Sequence, residues 1–243
     1  MKEFPEIKPM GEKALLLEFE PKIEEALLEQ ILFLKKYLKK KLVKEEVEVT
    51  NTYSSILISY PFIIEDVYGE VSALKKLLRK ANIKNKIGRQ LFHVPVCYDQ
   101  KFGLDLEELA EQKKLSLKEI IRLHTAPVYT VYFIGFLPGF LYLGGLDEKL
   151  HFPRKEQPRL KVEKGAVGIG EKQTGIYPQT SPGGWQIIGR SPVPLFDRNS
   201  NPPCQISAGS KLKFYEVSVE EYERISEAVE HGTFSWKKEA YHD

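Results

Sequence analysis

The sequence predicts an α+β protein with two domains, a βαββαβ domain over residues 1–98 and a strand-rich domain with flanking helices over residues 99–243. The first observation is length, because 243 residues suffice for one large or two ordinary domains. The second is an alternation of short apolar runs with amphipathic helical patterns before Tyr98. The third is a concentration of glycine and proline after Pro127, which is typical of short strands and shaped loops.

The first strand is predicted before Pro21, and the first helix is predicted after it. Lys13–Phe19 is an apolar run bounded by Gly11 and Pro21, which indicates a buried strand. After Pro21 the apolar residues recur three or four positions apart, which predicts a helix with one buried stripe. The stripe consists of Ile23, Leu27, Ile31, Leu34, Leu38 and Leu42.

The remaining elements of the first domain complete a split-βαβ, or ferredoxin-like, pattern. Glu46–Thr52 and Ser55–Tyr60 predict a strand pair, and Val67–Ala81 predicts a second amphipathic helix. Leu91–Cys97 is then expected to be the fourth strand of the same sheet. This order, βαββαβ, places the domain boundary just after Tyr98.

The second domain begins with helices and continues as strands. Asp105–Lys114 and Ser116–His124 predict two short helices, and the second carries a capping box because its first serine is followed by Glu119. From Pro127 to Val217 the strand-and-turn pattern predicts a barrel or a sandwich. A closing helix is expected from Val219.

Composition excludes several classes of function. The 36 Lys and Arg residues nearly balance 34 Asp and Glu, so the net charge of +2 predicts no nucleic-acid partner. The sequence has no apolar run long enough for a membrane span and no signal-like amino terminus, so we expect a cytoplasmic protein. Cys97 and Cys204 are expected to be reduced thiols, and neither His124 nor His151 has a companion at metal-ligand spacing.

The region from Phe133 to Phe196 is expected to carry the function. Arg154 and Arg159 each follow a proline, which stiffens the backbone behind a guanidinium suited to a carboxylate or phosphate. A surface role without a ligand is an equally open interpretation of both arginines. The other candidate residues for substrate binding are Gln173, Tyr177, Ser181, Gly183, Gly184 and Trp185.

Catalytic groups are much less evident than binding groups. His124 is the candidate acid or base, because it ends a predicted helix just before the glycine-rich region and imidazole titrates near neutral pH. A structural histidine is the alternative. The glycines of Gly165–Gly170 are interpreted as strand and turn residues, because no helix follows them and the sequence has no P-loop.

Four motifs in this region resemble one known family. They are the two Pro-Arg units, GFLPGFLYLGGL at 135–146, QTGIYP at 173–178, and SPGGW at 181–185 with Gly189-Arg190. In this combination and order the sequence is similar to the family of 5-oxoprolinase B subunits, also described as allophanate hydrolase subunit 1 and as sporulation kinase inhibitors.

The resemblance implies an N-terminal α/β domain and a C-terminal cyclophilin-like β-barrel. It also implies a complex with the A and C subunits of 5-oxoprolinase that opens the lactam of 5-oxoproline to L-glutamate with ATP hydrolysis, the single chain being inactive. In that complex the two arginines would hold the substrate carboxylate or a phosphoryl group. Whether ATP contacts this chain, and the stoichiometry of the complex, stay open.

A second function implied by the resemblance is regulatory. Inhibitor members of the family block a sensor histidine kinase, and this chain would do so through an exposed apolar surface without chemistry. Phe136, Phe140 and Tyr142 are the candidate patch, and burial in the core is the alternative for them.

Overall fold

The computed structural model describes residues 5–81 and 88–241, and the chain divides into two compact units, residues 1–87 and residues 88–243. Each unit encloses its own cluster of buried apolar side chains. Within the described ranges, no helix combines the length and the apolar character that a membrane crossing requires.

The first unit is an antiparallel sheet with two helices. Its elements are β1 (Glu6–Pro9), β2 (Ala14–Glu18), α1 (Glu25–Lys41), β3 (Glu48–Asn51), β4 (Ser55–Ser59) and α2 (Val67–Arg79). The strands lie in the order β1-β2-β4-β3. Leu15 and Ile56 of the sheet share one buried cluster with Ile31 of α1 and Leu74 of α2. The predicted stripe of the first helix therefore packs on the sheet from Leu27 to Leu42, but Ile23 is wrongly included, because it precedes α1 and is exposed.

The second unit contains the remaining elements. They are β5 (Arg89–Val96), α3 (Leu106–Lys113), α4 (Leu117–Thr125), β6 (Tyr129–Ile134), β7 (Leu141–Gly144), β8 (Arg159–Val162), β9 (Ala166–Gly170), β10 (Gln173–Ile176), β11 (Ser181–Gly183), β12 (Gln186–Arg190), β13 (Lys211–Glu216), α5 (Val219–Glu230) and β14 (Lys238–Tyr241). The predicted succession of two helices, a strand-rich region and a helix from Val219 is confirmed, but that helix does not close the unit, because β14 follows it and pairs with β5.

The predicted place of the strand at Leu91–Cys97 is wrong. This strand, β5, pairs with β13 and β14 of the second unit, so that unit begins before β5 and not after Tyr98. β5 is buried along most of its length, as expected for a strand covered on both faces. The place beside β2 that a fourth strand would fill is taken by β1, whose short charged sequence ending in Pro9 carries little strand signal.

Most strands of the second unit follow one another around a closed path. One sheet has the order β14-β5-β13-β6-β7, another has β10-β9-β12, and β11 pairs with β8. β7 lies against β10, and Cys97, which follows β5, forms a bridge with Arg190 at the end of β12. The strand order therefore returns to its start, as in a barrel. The cyclophilin-like description of this unit stays a prediction.

The helix α4 begins where the capping pattern predicts. The hydroxyl of Ser116 accepts a hydrogen bond of 3.2 Å from the backbone N–H of Glu119. The second half of the capping box does not form in the expected way, because the Glu119 carboxylate accepts from Arg122 at 2.8 Å. One serine hydroxyl therefore fixes the helix start.

Candidate functional site

The site is built around Trp185, which lies on a floor of glycines. A Cβ atom added to Gly170 would come within 2.5 Å of the Trp185 Nε1, and one added to Gly168 or Gly175 would lie 3.1 Å from other atoms of the same side chain. Real side chains essentially never approach as closely as 2.5 Å, so β9 and β10 carry glycine where the indole packs. Gly168 and Gly170, of the predicted run Gly165–Gly170, are therefore strand residues of β9, as predicted.

An aromatic cluster surrounds the indole. The ring of Phe140 makes edge-on contacts with Trp185 and Tyr177, at centroid distances of 5.4 and 5.6 Å. Tyr177 is 2% exposed and Trp185 5%. Both residues are predicted to bind substrate, but in this chain they form a closed surface with little of either ring reaching solvent. The half-buried Tyr142 borders the same cluster.

Arg154 lies on the outer side of this cluster. Its guanidinium carbon is 5.9 Å from the centre of the Trp185 ring, within reach of a cation–π contact, and the residue is exposed. Burial raises the pKa of the Tyr177 hydroxyl, while a hydrogen bond from the Trp185 backbone and the charges of Arg154 and Arg159 act in the opposite direction. Both arginines are therefore close enough to Tyr177 to influence its ionisation.

Arg159 is engaged differently from Arg154. Its Nη1 and Nη2 atoms donate to the two carboxylate oxygens of Asp105, at 2.9 and 2.6 Å, which is a bidentate ion pair. The Asp105 side chain is only 3% exposed, and that of Arg159 is 27% exposed. The fork that would hold a substrate carboxylate is thus already filled by a carboxylate of the protein. Of the two predicted arginines, only Arg154 presents an exposed guanidinium.

The predicted turn from Ser181 to Trp185 packs against the segment that carries the arginines. Ser181 and Gly183 lie on β11, where Gly183 pairs with Arg159 of β8. The carbonyl of Gly184 accepts a hydrogen bond of 2.7 Å from the backbone N–H of Lys155. A Cβ atom on Gly183 would come within 2.4 Å of the Tyr177 hydroxyl, so this turn needs glycine. These predicted residues are therefore brought together.

Gln173 lies beside this group. It starts β10 and pairs with Gly170, the glycine under the Trp185 indole. The residue is half-buried. Its strand position therefore connects it to the site.

His124 lies in a different part of the second unit. The residue has 0% exposure, and its ring stacks on Phe214 with the centroids 4.5 Å apart. The Thr174 hydroxyl donates to the Gly168 carbonyl at 3.0 Å, so it accepts from Nε2 of His124 at 2.8 Å. The other nitrogen, Nδ1, then accepts from the Tyr98 hydroxyl at 2.7 Å.

This environment keeps His124 neutral. Burial lowers the pKa of His124 from 6.5 to about 3. Both ring nitrogens are occupied by buried groups of the protein. The predicted acid or base role does not fit this geometry, and the alternative interpretation, a structural histidine, does.

The apolar patch considered for a regulatory role is not continuous. Phe136 is 65% exposed, Phe140 is 2% exposed and Tyr142 is half-buried. Phe140 belongs to the aromatic cluster under the site, so burial in the core is the correct alternative for it. Of the three residues, Phe136 alone stands out from the surface, with a left-handed φ of 63°.

Two residues that position the site carry no functional signal in the sequence. Asp105 is predicted only as the start of a helix, and Gln186, which directly follows the SPGGW motif, is not among the predicted site residues. The Gln186 amide donates to the Pro153 carbonyl at 3.1 Å, which fixes the residue before Arg154. Long-range ion pairs and single hydrogen bonds of this kind have no local sequence signal.

Comparison with known proteins defines the class to which this chain belongs. Residues 5–206 match the family described as carboxyltransferase domain, subdomain C and D. The fold is also that of a solved structure, the urea carboxylase of Kluyveromyces lactis, with a TM-score of 0.76 at 19% identity. That similarity covers 97% of this chain and 24% of the larger protein.

Curated relatives narrow the class to one family. The 5-oxoprolinase B subunit of Bacillus subtilis is 33% identical over 232 residues, which cover 91% of this chain and 97% of the relative. The protein of the same name from Haemophilus influenzae is 41% identical over 174 residues, covering 72% of this chain and 81% of the relative. The chain belongs to the family of 5-oxoprolinase B subunits, as its motifs predict.

Proposed function

We propose that this chain is the B subunit of an ATP-dependent 5-oxoprolinase, and that its Arg154 surface binds the carboxylate of 5-oxoproline. The observation that carries the proposal is an exposed guanidinium placed over a buried tryptophan, in a chain of this family. Arg159 has no such role here, because its fork is filled by Asp105.

The chemistry of Arg154 suits a small cyclic amino acid. A guanidinium that contacts an indole can still direct N–H groups at a carboxylate, and a planar fork binds a carboxylate through two hydrogen bonds. Gly184 lies half-buried next to this group, and the atoms around it are at ordinary contact distances, so a ligand could approach its backbone more closely than that of Gly183, which the Tyr177 hydroxyl covers. A lactam with one carboxylate has the size and charge for such a surface.

The surface supplies only one wall of a binding site. Tyr177 and Trp185 are almost fully buried, so they support Arg154 without enclosing a ligand. The C subunit would supply the opposite wall, and the A subunit would complete the enzyme. The single chain is then inactive, and it opens the lactam only in the complex.

ATP is assigned to the complex and not to the glycine run of this chain. Gly165–Gly170 lies largely within β9, and the space beside Gly168 and Gly170 is filled by the Trp185 side chain. The run does not start a helix, so it lacks the backbone N–H groups that cradle phosphates. Phosphorylation of the amide oxygen by ATP would make the unstrained lactam a better electrophile.

The test is reconstitution with the A and C subunits, followed by ATP-dependent release of glutamate. Arg154→Ala removes one charged contact to the substrate, worth about 2 kcal/mol, so kcat/KM for 5-oxoproline should fall about 30-fold. Arg154→Lys keeps the charge but loses the fork, and it should recover only part of the loss.

A matched control is Arg224→Ala, which removes an exposed arginine from α5. It should leave glutamate release unchanged. The proposal for Arg154 is refuted if Arg154→Ala retains full kcat/KM in a complex that assembles normally. An inactive complex of wild-type chains with 5-oxoproline and ATP would instead refute the 5-oxoprolinase assignment.

A further inference from the structure

A single buried carboxylate connects the parts of the site that surround Arg154. Asp105 is 2% exposed and accepts four hydrogen bonds or ion-pair contacts within 3 Å. Two come from Arg159 at 2.9 and 2.6 Å, one from Lys155 Nζ at 2.8 Å and one from the backbone N–H of Ile187 at 2.6 Å. A buried carboxylate with this many donors is held in one position.

Asp105 does not perform the task that its place in the sequence suggests. It immediately precedes α3, and aspartate in that position usually accepts a hydrogen bond from the first turn of its own helix. Its side chain makes no such bond. The carboxylate points to the barrel instead, and the Asp105 N–H donates to the Ile187 carbonyl at 2.8 Å. The residue is therefore tied to Ile187 through both backbone and side chain.

These contacts act on both partners of the Arg154–Trp185 pair. Lys155 follows Arg154 directly, and it is held by Asp105 through its ammonium group and by Gly184 through its backbone N–H. Ile187 lies two residues after Trp185 on the adjoining strand. Arg154 is itself exposed, so its position depends on these neighbours.

We propose that Asp105 is a positioning residue, which holds the segment from Arg154 to Arg159 against the 183–185 turn so that the Arg154 guanidinium stays over Trp185. The proposal rests on the proposed function, in which Arg154 binds the substrate. Asp105 itself does not touch the substrate.

The first experiment needs no ligand. In a Trp236→Phe background Trp185 is the only tryptophan, since the chain has two. Asp105→Asn keeps the size of the side chain but removes its charge, so the ties to Lys155 and Arg159 weaken. We expect a red-shifted Trp185 emission and stronger quenching by acrylamide. Asp105→Glu restores the charge and should recover part of the change.

Two further variants keep the experiment decisive. Glu111→Gln makes the same chemical change at an exposed position of α3, and it should leave the Trp185 emission unchanged. If Asp105→Asn fails to fold, Lys155→Met removes the tie next to Arg154 and leaves the pair between Asp105 and Arg159. It should shift the Trp185 emission in the same direction. Unchanged emission and quenching in the folded variants would overturn the proposal.

The second experiment uses the complex reconstituted with the A and C subunits. A misplaced Arg154 weakens binding of the substrate in its ground state and transition state alike, so Asp105→Asn should raise KM for 5-oxoproline about tenfold with kcat nearly retained. A purely structural defect would lower the amount of active complex, and therefore the apparent kcat, without changing KM.

The two experiments separate this inference from the proposed function. If Arg154→Ala raises KM while Asp105→Asn changes neither KM nor Trp185 emission, the positioning role is wrong and the proposed function stands. If Asp105→Asn alters Trp185 emission but neither variant changes KM, Asp105 positions Arg154 as inferred, and Arg154 is not the substrate contact.

Discussion

The buried histidine at the end of α4 makes a quantitative prediction about acid stability. Burial lowers the pKa of His124 from 6.5 to about 3, so the folded imidazole stays neutral over a range in which the unfolded one binds a proton. The unfolded state is thus favoured as the pH falls through this window. One pKa unit corresponds to about 1.4 kcal/mol, so His124 should cost about 2 kcal/mol of stability at pH 5 and about 3 kcal/mol at pH 4.

The measurement is urea unfolding at several pH values between 7 and 4, followed by tryptophan fluorescence. Both tryptophans, Trp185 and Trp236, lie in the second unit, so the signal reports on the unit that contains His124. The variant His124→Gln can still donate to the Thr174 hydroxyl but cannot bind a proton. Its free energy of unfolding should therefore depend less steeply on pH than that of the wild type.

A control separates this effect from the titration of other groups. His231→Gln makes the same substitution at an exposed residue at the end of α5, and it is the matched control. If His124→Gln and the wild type lose stability in parallel from pH 7 to pH 4, the imidazole is not held neutral and the argument for a structural role fails.

Two other substitutions test the packing described above. Gly170→Ala would place a methyl group 2.5 Å from the Trp185 indole, so it should destabilise the second unit by about 1–3 kcal/mol and shift the Trp185 emission. Gly88→Ala, at a position with open space around it, is the control in the same urea unfolding experiment. Equal stability of the two variants would contradict the conclusion that the Trp185 indole requires glycine at position 170. Ser116→Ala removes the hydroxyl that caps α4 and should lower the unfolding free energy by about 1 kcal/mol. Lys118→Ala, exposed on the same helix, should have little effect, and a loss as large as that of Ser116→Ala would argue against a capping role.

Local periodicity predicts the elements of this chain well but does not identify their partners. The apolar stripe of α1 and the pair β3 and β4 follow from residues close in sequence, and all three form as expected. The strand at Leu91–Cys97 also forms, but its partner β13 is far along the chain and runs parallel to it. No local pattern distinguishes that pairing from one with β2.

The candidate site shows the same limit. Proline, glycine and tryptophan in the motifs indicate where Arg154 and Trp185 meet, because these residues shape the backbone locally. The different roles of Arg154 and Arg159 depend on Asp105, which approaches from another helix. His124 is ambiguous in the sequence for a similar reason, since its burial is set by Tyr98, Thr174 and Phe214, which come from three distant parts of the chain.

The parallel pairing of β5 with β13 also constrains how the second unit can assemble. β5 opens this unit, and both strands that flank it along its length, β13 and β14, are the last two strands of the described chain. Closing so large a loop costs entropy before the pairing contributes any stability, so folding dominated by such distant contacts is slow. During synthesis the apolar β5 would leave the ribosome long before its neighbours, so it stays unpaired and open to aggregation until they are made.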